Sequence, residues 1–175
     1  MTHINISIDL LDIIGINEVE SEFEVKLRLK ASWKDYRLTF ISLNGDKKKN
    51  MIDNFTDIWI PQIQFIDVIN PVQDNLGESD EIITASKTED GILTGSDDLE
   101  RNYIQQGKTV KITKTSTFVG SFLCSFADIY RYPFDTEICS IKMGLIGKNY
   151  HFTKLVASNL RYEGKQDRIV SPGSF

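Results

Sequence analysis

The sequence of 175 residues predicts an all-β protein that folds as a β-sandwich. Three observations support this prediction. Two segments near the start alternate apolar and polar residues with a period of two. Further runs rich in β-branched and aromatic residues are separated by turn clusters such as LNGDKKKN and NPVQDNLGESD. No helical pattern is long enough to indicate a helix, and a length of 175 residues suits a single domain over residues 1–175.

The first two predicted strands, in residues 3–10 and 22–30, form a hairpin around the turn sequence GINEVES. A helix would scatter the apolar residues around its circumference, whereas a strand places them all on one face. We therefore expect an antiparallel hairpin whose outer face is solvated. The apolar residues of the inner face are Ile4, Ile6, Ile8, Leu10, Phe23, Val25, Leu27 and Leu29.

Later β-rich runs occupy residues 57–69, 108–122, 137–146 and 150–162. The intervening segment 72–107 is polar, acidic and poor in aromatic residues, and it predicts a long solvated insertion between strands. A cation site or a contact surface is the alternative reading of its carboxylates. No stretch of it matches a calcium-binding loop, and we predict no metal site.

Charge and composition exclude several classes of function. The formal net charge of −5 and the pI near 5.1 give no reason to expect nucleic acid or an anionic membrane as a partner. No stretch of eighteen apolar residues occurs, and MTHINISIDLL lacks the pattern of a signal peptide. Two sequons, at Asn5 and Asn54, are acceptors for N-glycosylation and favour an extracellular location. If the protein is secreted, we expect its leader to lie outside this sequence.

Signals of catalysis are weak. The two histidines, His3 and His151, stand outside any recognised motif, and no metalloprotease, nucleophile-elbow or phosphate-loop pattern occurs. The two cysteines, Cys124 and Cys139, do not suffice for a structural zinc site with four protein ligands. We therefore predict a protein that is not an enzyme, with no catalytic residues and no cofactor.

The two cysteines predict a disulfide that closes a short loop. They enclose fourteen residues, and Pro133 favours a turn that lets Cys124 and Cys139 approach each other. On the chain-entropy model, closing such a loop stabilises the fold by about 3 kcal/mol. An aromatic, apolar loop centre is typical of a docking surface. The residues of that centre are Tyr132, Pro133, Phe134 and Asp135.

Three motifs carry a resemblance to a known family. The sequence CSFADIYRYPFDTEIC follows the pattern FxCxFxxxxxYPFDTxxC, WKDYRL resembles a WxDxRL motif, and DIWIP resembles a [VI]WxP[DQ] motif. Together with the hairpin before them, these motifs resemble the extracellular domain of the Cys-loop family of pentameric ligand-gated ion channels, most closely its invertebrate orphan members. The motif residues that we expect to be structural are Trp33, Asp35, Arg37, Trp59 and Pro61.

The resemblance implies an immunoglobulin-like, twisted β-sandwich that assembles as a homo- or hetero-pentamer, with small-molecule ligands at the subunit interfaces. The disulfide loop would contact a transmembrane part that this sequence does not contain. The loop is one residue longer than is usual in the family, and the segment 72–107 is also longer. We expect the last strands and loop C of the family fold to be absent, because the sequence ends at SPGSF.

The resemblance also assigns positions to the ligand site. Loop A falls on Ile66 with Phe65 beside it, loop B on Ile146 and Lys148, and loop D on Arg28. Thr113 and Thr115 are the remaining ligand-site positions that the resemblance assigns.

Most of the aromatic side chains that grip a cationic ligand in amine-binding members are missing from these positions. Lys148 and Arg28 would suit an acidic ligand. The structural alternative is that Arg28 pairs with Glu22 and Glu24 on the outer face of the hairpin.

The leading hypothesis is therefore the extracellular ligand-recognition domain of a Cys-loop receptor-like subunit. A secreted binder similar to the soluble acetylcholine-binding proteins is the second hypothesis. The third is a structural module that forms a ring and has lost ligand binding.

Overall fold

The computed structural model describes residues 2–43, 50–52, 56, 58–71, 81–89, 92–94, 102–124, 139–146 and 152–162. These residues confirm the all-β class, with a short 3-10 helix at Gly107–Thr109. None of the described segments forms a helix long and apolar enough to cross a bilayer. The strands are β1 Thr2–Asn17, β2 Glu22–Trp33, β3 Thr39–Ile41, β4 Ile63–Ile66, β5 Val68–Pro71, β6 Ile82–Lys87, β7 Ile92–Thr94, β8 Asn102–Gln106, β9 Val110–Leu123, β10 Lys142–Leu145 and β11 Thr153–Tyr162.

A six-stranded sheet dominates the described fold, in the order β11-β1-β2-β9-β5, with β6 also paired to β9. Strands β5 and β6 share one edge of β9, because β5 pairs with residues 120–122 and β6 with residues 110–115. All neighbours in this sheet are antiparallel except β1 and β11, which run parallel. A two-stranded ribbon, β10-β4, and a three-stranded sheet, β3-β8-β7, complete the architecture.

The predicted hairpin is present, with β1 and β2 paired from Asn5 and Ser32 to Asn17 and Glu22. All eight residues of its predicted inner face are at most 8% exposed. The outer face is less solvated than the alternation suggests, because Asp9 in the middle of β1 is only 1% exposed. Burial of this carboxylate is a feature of the tertiary structure that the alternating pattern does not predict.

The core lies between the six-stranded sheet and the β4-β10 ribbon. Phe65 of β4 stacks against two residues of β9, with ring centroids 4.5 Å from Phe118 and 5.6 Å from Phe122. The ring of Phe23 on β2 lies 5.7 Å from Phe122. These four rings form an aromatic cluster that joins the two layers, since aromatic pairs at such distances add to the free energy gained from burial.

Segment 72–107 is not simply a solvated insertion, because β6, β7 and β8 lie within it. Strand β6 joins the main sheet and buries Ile83 and Ala85 in the core. Gln105 of β8 is also buried. The alternation in β6 is short and uses small residues, so it gave only a weak signal; pairing with β9 makes this strand stable.

The predicted run 57–69 also differs from a single strand. Its described part forms β4 and the start of β5, and Asp67 between them has φ 64°. This left-handed residue ends one pairing and begins another. As a result, β4 pairs with β10 whereas β5 pairs with β9.

Candidate functional site

The disulfide between Cys124 and Cys139 closes its loop at one end of the main sheet, where β9 ends. The two Cα atoms are 4.9 Å apart. The backbone N–H of Cys124 donates to the carbonyl oxygen of Ser21 at 2.8 Å, in the turn between β1 and β2. The loop therefore starts directly beside that turn. Tyr132, Pro133, Phe134 and Asp135 lie outside the described residues.

This end of the sheet carries exposed apolar side chains. Val19 in the turn is 95% exposed, Ile16 near the end of β1 is 57% exposed, and Leu123 at the end of β9 is 54% exposed. Ser21 has φ 57°, in the left-handed region, where it ends the turn and leads into β2. The turn and the start of the disulfide loop thus present apolar surface at the same end of the molecule.

The WKDYRL segment forms a tight turn after β2. Trp33 is buried, and its ring lies 6.3 Å from that of Trp59 in an edge-to-face arrangement. Asp35 is also buried and accepts hydrogen bonds from Nε and Nη2 of Arg37 at 2.9 and 2.7 Å. These side-chain bonds lower the pKa of Asp35, against the opposing effect of burial, and the same bonds raise the pKa of Arg37. Pro61, after Trp59, is buried.

Gly107 holds this turn against the rest of the sheet. Its N–H donates to the carbonyl oxygen of Leu38 at 2.8 Å. A Cβ placed on Gly107 would collide with the carbonyl oxygen of Asp35. The glycine therefore permits a backbone-to-backbone approach that no larger residue allows without displacement. The sequence signal for Gly107 is weak, since it consists of a glycine immediately before a β-rich run.

Replacement of Asp35 by Asn is expected to destabilise the fold by about 1.5 kcal/mol at neutral pH, because the bonds to Arg37 lose their ionic character. The folded-state pKa of Asp35 lies below its ordinary value of 3.8. The contribution is therefore fully present above the unfolded pKa and is lost as the pH falls through the folded pKa. Urea unfolding at a series of pH values should show the two proteins converging below about pH 4.

Asp67→Asn is the matched control, because Asp67 bonds Lys142 at 3.1 Å with both side chains substantially exposed. We expect this variant to lose less than about 0.5 kcal/mol. A wild-type advantage over Asp35→Asn that persists unchanged to pH 2 would show that ionisation of Asp35 is not its source.

Three of the predicted ligand-site positions lie on the same outer face of adjacent strands. Arg28 of β2 is opposite Thr117 of β9, and Thr115 is opposite Lys30. Thr113 is opposite Ser32, and their hydroxyl oxygens are 3.1 Å apart. Because directly opposed residues of an antiparallel pair share a face, the threonines form a column beside the bases of β2. Lys30 belongs to the same surface, although the motifs assign it no role.

Arg28 and Lys30 of β2 both form ion pairs with Asp9 of β1. Arg28 Nη1 lies 3.9 Å from Oδ2 of Asp9, the residue opposite it on β1. Lys30 bonds the same oxygen at 2.6 Å. Pairing of Arg28 with Glu22 and Glu24 stays a prediction.

The loop A and loop B positions are not brought together with this surface. Phe65 points into the core, against Phe118 and Phe122. Ile66 and Ile146 are each about half exposed, but they sit at opposite ends of the β4-β10 ribbon.

The distance between Ile66 and Ile146 follows from the pairing of β4 with β10. Ile66 pairs with Lys142, while the N–H of Ile146 donates to Gln62. Four residues of strand, or about 13 Å, therefore lie between the two positions. Lys148 lies outside the described residues.

The two sequons have different positions. Asn5 is exposed on β1, opposite Ser32, and Asn54 lies outside the described residues.

A family model and a known protein that resemble this chain are both described as ion channels or parts of them. A family model described as the neurotransmitter-gated ion-channel ligand binding domain matches residues 1–169. A protein named a proton-gated ion channel, from Gloeobacter violaceus, is 25% identical over 171 residues, which cover 97% of this chain and 40% of that relative. The chain thus spans about two fifths of the length of the curated relative it matches.

Proposed function

The chain belongs to the family of neurotransmitter-gated ion-channel ligand-binding domains, and on this premise we propose that it is the extracellular ligand-recognition domain of a pentameric channel subunit. Identical or different subunits form the ring, and small-molecule ligands bind at the interfaces between them. The resemblance of the YPFDT loop to invertebrate orphan members is part of this proposal.

The end of the sheet beside the disulfide supports this proposal most strongly. The disulfide loop leaves β9 next to the β1-β2 turn, and the exposed Ile16, Val19 and Leu123 lie at the same end. Exposed apolar side chains of this kind favour contact with another protein surface. We propose that this end, with Tyr132, Pro133, Phe134 and Asp135, docks on the membrane part of the receptor and passes on the effect of ligand binding.

The outer face of β2 and β9 supports a ligand site for an acidic molecule. Arg28 and Lys30 are opposite Thr117 and Thr115 in the pairing of β2 with β9, so the four residues share one face of the sheet. Guanidinium, ammonium and hydroxyl groups are all donors to a carboxylate. In the proposed ring, this face forms one half of each site and the neighbouring subunit supplies the other half.

A second candidate is a ring-forming module without a ligand, and the packing of Phe65 favours it. A side chain that fills the core between β4 and β9 is not available to grip a ligand. The distance between Ile66 and Ile146 also favours a module without a ligand, because the loop A and loop B positions do not meet.

Light scattering on the purified chain tests the assembly. A ring of five copies of a 20.0 kDa chain gives a mass of about 100 kDa. A mass of one subunit across the micromolar range would contradict self-assembly of this domain. The gene downstream of Phe175 separates a channel subunit from a secreted binder, because a channel requires apolar segments of about twenty residues.

A further inference from the structure

Asn5, in the first sequon, lies on the outer face of the main sheet. Its side chain is exposed, whereas its neighbours Ile4 and Ile6 are buried in the core. Successive side chains of a strand point to opposite faces, so Asn5 points away from the core. The tripeptide Asn5-Ile6-Ser7 meets the sequence requirement for N-glycosylation. The acceptor amide therefore stands on the solvent side of β1.

The row of the sheet that contains Asn5 also contains a predicted ligand-site position. Asn5 is directly opposite Ser32 of β2, Ser32 is directly opposite Thr113 of β9, and Thr84 of β6 continues the row. Neighbouring strands are about 4.8 Å apart, so the backbone of Thr113 lies about 10 Å from that of Asn5. Directly opposed residues share a face of the sheet. Asn5 and the proposed ligand site therefore belong to one surface.

The surface beside Asn5 is formed by small polar side chains. Ser32 is buried, and its hydroxyl oxygen lies 3.1 Å from that of Thr113. Ser7, two residues after Asn5, is partly buried. Side chains this short leave room for a glycan on Asn5 to lie across β2 and β9, and their hydroxyl groups can donate to and accept from those of the sugars. A neighbouring subunit in the proposed ring would occupy the same space.

The pairing of β1 fixes when Asn5 can be modified. Asn5 is opposite Ser32 of β2 on one side and Val156 of β11 on the other. Because a transferase needs an unpaired, extended segment, the transfer must precede formation of the sheet. Nδ2 of Asn5 then bonds to the anomeric carbon of a lipid-diphosphate-linked oligosaccharide and loses one proton, while the bond from that carbon to the phosphate oxygen breaks and the lipid diphosphate leaves. Each chain is thus modified or unmodified before it can assemble.

We propose that glycosylation of Asn5 and assembly through the outer face of β1, β2 and β9 exclude each other, so that this sequon decides whether a chain enters a ring. The inference rests on the proposed function, which makes this face one half of each subunit interface. An N-glycan is bulky and hydrated, and it extends beyond the distance of about 10 Å from Asn5 to Thr113. A subunit that carries it cannot place this face against a neighbour.

Secretion of the full chain from animal cells behind an added leader tests the proposal. Every protein in the series carries Asn54→Gln, so that Asn5 is the remaining natural acceptor. Intact-mass spectrometry measures the occupancy of Asn5, and light scattering measures the mass of the assembly. We expect chains with unmodified Asn5 to form a species of about 100 kDa from five copies of the 20.0 kDa chain. We expect chains with a glycan on Asn5 to remain single subunits.

Asn5→Gln and Ser7→Ala each remove the acceptor motif, and both should give the ring throughout the sample. Ser7→Ala keeps the side chain of Asn5. Agreement between the two variants therefore shows that the glycan, and not the asparagine amide, determines the assembly. Either variant is sufficient for the test if the other does not fold.

Val19→Thr, added to Asn5→Gln, is the matched control, because it creates an acceptor motif at Asn17. Asn17 is exposed at the end of β1, and twelve residues of strand, or about 40 Å, separate it from Asn5. The same glycan is then attached far from the row of Ser32 and Thr113. We expect chains with an occupied Asn17 to form the ring.

The outcomes distinguish this inference from the proposed function. Rings built from chains with a glycan on Asn5, or a secreted chain that leaves Asn5 unmodified, would overturn the inference and leave the proposed ring intact. Single subunits for chains with a glycan on Asn17 would also overturn it, because the position of the glycan would then be irrelevant. If both Asn5→Gln and Ser7→Ala stay single subunits, self-assembly of this domain is wrong, and this inference is wrong with it.

Discussion

Replacement of Phe122 by alanine is expected to reduce the free energy of unfolding by about 4 kcal/mol. Phe122 is 1% exposed, and its ring lies 5.6 to 5.9 Å from those of Phe23, Phe65 and Phe118. Truncation removes the contact area of a whole ring and leaves a cavity between β2, β4 and β9. Urea unfolding followed by tryptophan fluorescence measures the loss, and the transition midpoint should fall with little change in its slope.

Phe152→Ala is the matched control for this prediction. The same atoms are removed, but Phe152 is 71% exposed, so we expect a change of less than about 0.5 kcal/mol. A cost below about 1.5 kcal/mol for Phe122→Ala would mean that the ribbon does not pack against the main sheet as described.

Replacement of Gly107 by alanine is expected to destabilise the fold by about 3 kcal/mol. The new Cβ would collide with the carbonyl oxygen of Asp35 and would also lie 2.8 Å from its carbonyl carbon and 3.0 Å from the carbonyl oxygen of Leu38. These are backbone atoms, which cannot rotate away as a side chain can. The turn after β2 must then shift, and the hydrogen bond from Gly107 to Leu38 weakens. Thermal unfolding should show a midpoint lower by about 6 to 12 °C.

Gly15→Ala provides the comparison within the same chain. No heavy atom lies within 4 Å of a Cβ placed on Gly15. We expect its stability to be unchanged or raised by up to about 1 kcal/mol, because alanine restricts the unfolded chain more than glycine does. Equal losses for both variants would indicate that glycine flexibility, and not the contact with Asp35, determines the effect.

Alternation of side chains predicted the hairpin because a strand repeats its side-chain direction every two residues. That rule needs only the local sequence, so it identified every inner-face residue of residues 4–10 and 23–29. The same rule missed β6, whose buried Ile83 and Ala85 are few and small. It also placed Asp9 in solvent, because alternation indicates a face and not how far that face is covered by neighbouring side chains.

The disulfide was predictable from the sequence, but its position in the fold was not. Two cysteines with a proline between them predicted the bridge, and the structure contains it. The position of that bridge beside Ser21 depends on the pairing of β2 with β9, which places Glu22 opposite Leu123. No local pattern contains that register.

Local residue patterns were sufficient to predict the all-β class, the buried face of the first hairpin, and the family to which the motifs point. The residues that meet on the outer face became apparent only from the pairing of the strands. The hydroxyl groups of Ser32 and Thr113 are 81 positions apart in the sequence, yet their oxygen atoms lie within 3.1 Å. The physical reason is that strand direction is a local property of the backbone, whereas cross-strand contacts and burial depend on which distant strand completes the hydrogen bonds of the sheet.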